Sequence, residues 1–165
     1  MIAESIILRA GKKYRSGNWW TNELMNELMQ YQRKNINQLD TNFIIPGDLV
    51  FFMYSAKYPQ KYDYWDRQPL SYIIEVNPRN GTFLGSNLHY LNPQYRKGVA
   101  KSYINKLGAV NAPKKTLHTY LFSGVVSDLF KIPEEEWEKV SLLPTEKFVD
   151  RRGQPVPKYR VWDAP

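Results

Sequence analysis

The 165-residue sequence contains no cysteine, which excludes a disulfide framework, a thiolate metal site and a cysteine nucleophile, and suits a reducing cytosol. Histidine is almost as scarce. His89 and His118 are the only two, and neither has an Asp or Glu at ligand spacing, so no zinc site is expected. His89 lies in an apolar run and reads as a satisfied core or edge histidine, whereas His118 follows Lys114 and Lys115 and is placed to meet an anion. No stretch approaches the ~20 apolar residues of a membrane span, and the apolar run in "MIAESIILRAGKKYR" is too short for the core of a signal peptide. A protein that is soluble and intracellular at synthesis is therefore expected. There is no Gly-rich loop ending in Lys-Ser/Thr, no dinucleotide fingerprint and no nucleophile elbow, which disfavours a phosphotransfer enzyme and gives no support for a Ser/His/Asp hydrolase. No cofactor and no small-molecule substrate are implied.

What is abundant is aromatic side chain and unevenly spread positive charge. Tyr (12), Phe (7) and Trp (5) bring aromatics to 15%, enough to pack a core and to furnish contact surfaces. The net charge is +7, and residues 91–130 account for most of it, with six Lys/Arg against one acid. Arg96, Lys97, Lys101, Lys106, Lys114 and Lys115 follow one another with no acid before Asp128, a pattern that points to phosphate or another polyanion. The plainer reading is a solvated face, but six cations without counter-charge exceed what solubility requires.

Along the chain, "AGKKYRSG" reads as part of a mobile basic arm over residues 1–17. Trp20, Leu24, Leu28 and Tyr31 recur at helical spacing after Asn18, a candidate N-cap, which predicts a helix over about 18–33. "FIIPGDLVFFMYSA" and "PLSYIIEVN" predict strands, and Asn80-Gly81 predicts a type I′ hairpin into "TFLGSNLHYL", where Gly85 suggests a bulge or bend. A basic amphipathic helix is expected over about 93–107, with Val99, Tyr103, Ile104 and Leu107 on one face and Gly108 as its stop. "LHTYLFSGVVSDLFKI" is ambiguous between a strand pair and a buried helix, and Pro133 with Glu134 to Glu136 opens a short helix whose dipole favours those acids. The Pro-rich segment after residue 148 reads as a disordered tail or an extended arm that docks on a partner through Trp162. The expected fold is α+β or mainly β, an SH3-like small antiparallel barrel decorated with helices, with an α+β sheet on two helices as the alternative. One globular domain over 18–148 would carry the arm and the tail.

The stretch "YDYWDRQP", residues 62–69, raises the question of a catalytic pair, Asp63 and Asp66. Metal nucleases and glycosidases set carboxylates around a cation or across a cleft, whereas these two share one loop between Lys61 and Arg67. A clasp in which Arg67 pairs with a neighbouring carboxylate and orders the loop is the favoured reading. Tyr62, Tyr64 and Trp65 either fill the core side of that loop or offer faces on which bases stack.

The segments "PGDLVFFMY", "YDYWDRQPL", "GTFLGSNLHYLNPQYR" and "YLFSGVVSDLFKIPEEEWEKVSLLPTEKF" resemble, in order, a family of small proteins of tailed phages related to the T-even myoviruses. The resemblance covers about residues 13–148, and members are named DNA end protectors or structural proteins. It implies a virion or genome-packaging role, first in the host cytoplasm and then in the particle, with DNA and other virion proteins as partners and no catalytic residues. Two readings follow: a non-enzymatic DNA-binding protein that acts at genome ends through the basic helix, or an adaptor of the neck, tail or baseplate. A nuclease using Asp63 or Asp66 stands behind both.

Overall fold

In the computed structural model, residues 1–35, 43–105 and 112–165 are described. The centre is a five-stranded antiparallel sheet built from β1 (Leu49–Phe51), β3 (Leu70–Asn77), β4 (Thr82–Asn87), β5 (Leu117–Leu121) and β6 (Phe130–Lys131), in the order β5-β4-β3-β1-β6. A separate ribbon pairs β2 (Tyr64–Asp66) with β7 (Phe148–Asp150). Five helices accompany them among the described residues: α1 (Ile2–Ala10), α2 (Gly17–Lys34), α3 (Pro93–Ile104), α4 (Trp137–Val140) and α5 (Lys158–Trp162). The fold is α+β, and the sheet is open, with β5 and β6 as edges. The expected SH3-like closure does not form among the described residues, because the first strand is only three residues long and its far neighbour is the two-residue β6.

Successive strand residues point to opposite faces, and here both faces are covered, which is why β1 is buried throughout. Leu49 and Phe51 join Leu70 and Tyr72 on the helical side, against Ile6, Leu24, Leu28, Tyr103 and Trp137. Val50 and Phe52 join Ile73, Phe83 and Tyr120 on the other. That second face is aromatic: Phe52 meets Tyr120 edge-on at 5.4 Å and Tyr54 meets Tyr120 edge-on at 5.0 Å, arrangements that the ring quadrupole favours. The β3–β4 hairpin closes through residues 78–81, with Asn77 paired to Thr82 and Gly81 at φ 67°. This four-residue loop replaces the expected two-residue type I′ turn, while the bulge expected near Gly85 lies across from it, at the register shift between Ile73 and Glu75. The ambiguous run after residue 116 is strand at both ends, β5 and β6, on opposite edges of the sheet.

Three further expectations are corrected. The N-terminal segment is no arm: α1 buries Ile2, Ala3, Ile6 and Ala10, and its free N–H at Ala3 is capped by the buried Glu136 carboxylate at 2.9 Å. Ser16, rather than Asn18, caps α2, its Oγ accepting from Trp19 N at 3.1 Å. The C-terminal segment is no extended tail either. It turns at Gly153 and ends in α5, and Val156 and Val161 are buried with Tyr90 and Phe148 in a third apolar cluster. Helix α3 starts at Pro93 with Asn92 as its cap and ends at Ile104, with Asn105 at its C-cap. Leu107 and Gly108, the expected last contact and stop, lie outside the described residues.

Candidate nucleic-acid interface

Asp66 is the centre of a buried polar hub. Its position at the end of β2 leaves the side chain only 2% exposed. Oδ1 accepts from the backbone N–H groups of Gln68 at 2.9 Å and Lys147 at 3.0 Å, while Oδ2 accepts from Asn87 Nδ2 at 2.9 Å and lies 2.8 Å from His89 Nδ1. Burial opposes ionisation of this carboxyl, but the His89 ring and the donated hydrogen bonds outweigh it and hold the group below its ordinary range. His89 Nε2 lies 3.1 Å from Thr145 Oγ1, so Asp66, His89 and Thr145 have the hydrogen-bond order of a catalytic triad. His89 and Thr145 are both fully buried, and the hydroxyl has no exposed face for a substrate. The hub ties β2, the turn after β4 and the approach to β7 together.

The expected clasp of Arg67 on a neighbouring carboxylate is not formed, and the two acids have other partners. Arg67 is exposed and pairs with no carboxylate among the described residues; its guanidinium stands 5.9 Å from the Trp65 ring. Asp63 is exposed and lies 3.4 Å from Arg151 across the ribbon. Sequence reasoning recognised the acids and missed their partners, because Asn87, His89 and Arg151 are distant along the chain.

Of the six cations expected to meet phosphate, the structure separates the available from the committed. Arg96 is 0% exposed. It donates from Nε to Leu91 O at 2.8 Å and from Nη2 to His89 O at 3.1 Å, and its Nη1 stands 2.9 Å from Glu146, whose other oxygen pairs with Lys158. Desolvation lowers the Arg96 pKa and Glu146 opposes that. Arg96 is structural and is withdrawn from the DNA-contact set. Lys115 is committed too: Nζ donates to the carbonyls of Val161, Trp162 and Ala164 at 3.1, 2.8 and 2.5 Å, capping the end of α5. Lys97, Lys101 and Lys114 are exposed. Lys106 lies outside the described residues. Nor does Trp162 await a partner. Its Nε1 donates to His89 O at 3.1 Å within the same chain.

The loop aromatics are divided. Tyr64 packs with Phe148 and Tyr90, whereas Tyr62 is 40% exposed and Trp65 half-buried. Together with Tyr54, Tyr90, His118 and Tyr120 the last two line a cleft of about 300 Å³. His118 stacks on Tyr90 at 4.1 Å and donates from Nε2 to Lys115 O at 3.1 Å, and burial lowers its pKa. Nearby, Arg151, Arg152 and Arg160 surround a hollow of about 390 Å³ with Asp63 and Asp150. The "RR" at 151–152 is plain in the sequence, but residues 131–165 balance seven cations with seven acids, so a count by segment conceals it.

Among the described residues no group of three or more His, Asp or Glu could hold a metal ion, and no helix is long and apolar enough to cross a membrane. No curated protein and no solved structure matches the chain. Residues 8–112, which run from the last turn of α1 through α3 and include Lys97 and Lys101 but not the tail, match the family model described as the phage T4 terminal DNA protecting protein. The chain belongs to the phage T4 terminal DNA protecting protein family.

Proposed function

We propose that this protein is a non-enzymatic phage component that binds DNA at the genome's end. The observation that carries the reading is the match to a terminal DNA protecting family over a region whose helix α3 turns Lys97 and Lys101 to solvent while Arg96, Ala100 and Tyr103 anchor it. A helix pinned by a buried guanidinium presents its lysines on a rigid face, and Lys114 adds to the exposed charge. Binding is led by neutralised phosphates and released counterions, so affinity falls steeply with salt. The engagement of both Asp66 oxygens by protein donors supports a role without catalysis, since neither is free to hold a cation or a water. The protein acts in the host cytoplasm during assembly and then in the virion, beside other virion proteins. The adaptor reading loses the docking arm that motivated it, because the tail folds back on its own domain.

The test is a gel-shift comparison of linear and closed circular duplex of one sequence across a salt series. Tighter binding to the linear form at every salt concentration is expected, and equal binding to both removes the end-specific claim.

A further inference from the structure

A third hollow shares wall residues with both the aromatic cleft and the arginine hollow. The cleft shares Tyr62, Tyr90 and His118 with this hollow of about 290 Å³, which in turn shares Asp63 with the arginine hollow. Resting on the DNA-end reading above, we propose that the three hollows form one groove that holds the unpaired terminal nucleotides of a DNA strand, a base in the aromatic cleft and the backbone phosphates on Arg151, Arg152 and Arg160.

Three observations carry the assignment. The cleft, at about 300 Å³, lies at the lower end of the roughly 300–1,000 Å³ range of pockets that enclose small organic ligands, which suits one base. Its walls include ring surface that the core does not cover, on Tyr62, Trp65 and His118, and every base has a face that stacks on such rings. At the other end the cations are arginines, whose planar forks suit phosphate oxygens, and they converge from two separate elements, the turn after β7 and α5.

The two acids in the arginine hollow offset part of that charge and leave the arginines in excess, three to two. Asp150 is spent on its own turn, Oδ1 accepting from the N–H groups of Arg152 at 2.8 Å and Gln154 at 3.0 Å, which shapes the Arg151-Arg152 corner. Asp63 meets Arg151 at 3.4 Å with both side chains exposed, a weak pair that a phosphate can displace. The cleft and the hollow together provide what a single strand requires and a duplex does not: a flat slot for an unstacked base beside a track for its backbone.

The experiment measures fluorescence anisotropy with labelled hairpin duplexes that differ only at the open end, one blunt and one with a four-nucleotide single-stranded overhang. Wild-type protein is compared with Tyr62→Ala, with the triple variant Arg151→Ala/Arg152→Ala/Arg160→Ala, and with Lys97→Gln/Lys101→Gln; all these side chains are exposed, and circular dichroism verifies each fold. The overhang is expected to bind roughly tenfold more tightly than the blunt end, and both groove variants are expected to lose that margin while keeping blunt-end affinity. The lysine variant is expected to weaken both ligands together and to keep the margin. Equal wild-type affinity for blunt and overhanging ends overturns the groove assignment, as does a margin that survives both groove variants. Failure of the underlying reading looks different: linear and closed circular duplex would then bind alike.

Discussion

The indole Nε1 of Trp162 donates to the main-chain carbonyl of His89 at 3.1 Å, and the Arg96 guanidinium, which donates to the same carbonyl, stands 5.5 Å from the Trp162 ring. One carbonyl thus joins the last helix, the basic helix and the buried hub. Trp162→Ala is expected to lower stability by about 2 kcal/mol, below the roughly 3–5 kcal/mol of a fully buried ring because this one is half-buried. In a domain of this size that corresponds to about 4–8 °C in Tm. Thermal and urea unfolding measure it, and an unchanged Tm would return Trp162 to a docking role.

Adjacent residues on α3 are expected to behave oppositely. Arg96→Ala leaves the Glu146 Oε2 side of a buried carboxylate without its guanidinium and should cost about 3–5 kcal/mol. Lys97→Gln/Lys101→Gln should alter stability by no more than about 0.5 kcal/mol per site. The same double variant should reduce the slope of log affinity against log salt by about 2, since each phosphate contact contributes roughly 0.9. Urea titrations and salt-dependent DNA binding separate the two effects.

Stability is expected to fall with acid in two stages. Burial, opposed by the Lys115 carbonyl and Asp66, holds the folded His118 pKa below the ordinary 6.5, so its contribution is complete above that pH and declines as pH falls toward the folded value. Asp66 and Glu146 are lowered from 3.8 and 4.5 despite burial, Asp66 chiefly by His89 and its hydrogen bonds, Glu146 by His89, Arg96 and Lys158. Their contribution is complete above those values and is lost as pH falls through the lower folded ones. Urea unfolding from pH 8 to pH 2 tests this, with His118→Phe expected to remove the first decline and Asp66→Asn to shrink the second from a less stable start.

Gly124 is expected to tolerate no side chain. A Cβ there would sit 2.7 Å from the Tyr54 ring and 2.9 Å from Ser55 O, and Ser55 N donates to Gly124 O at 2.8 Å, so neither neighbour can yield cheaply. Gly124→Ala should cost about 1–3 kcal/mol and displace Tyr54, a wall of the aromatic cleft. Chemical denaturation gives the first effect. Weakened binding of the overhanging duplex would report the second.

The residues alone determined those elements whose signals are local. Leu24 and Leu28 at helical spacing place α2, the Pro-Gly turn before β1 and the Gly81 turn after β3 place strands, and Asn92-Pro93 opens α3. His89 is buried and bonded on both ring nitrogens, as an apolar run around a lone histidine predicts. The terminal segments were misread for one reason: Ile2, Ile6 and Val161 are too few to form a core by themselves, and only packing against α2, α4 and the ribbon buries them. The tertiary structure alone decided which charges are available. Arg96 and Lys97 are neighbours in a run of cations, yet each helical residue turns about 100°, so one side chain enters the interior beside Glu146 and the other reaches solvent. It also brought Arg151, Arg152 and Arg160 to the end of a groove lined by Tyr62, since a β ribbon between residues 64–66 and 148–150 joins segments that no sequence window holds together.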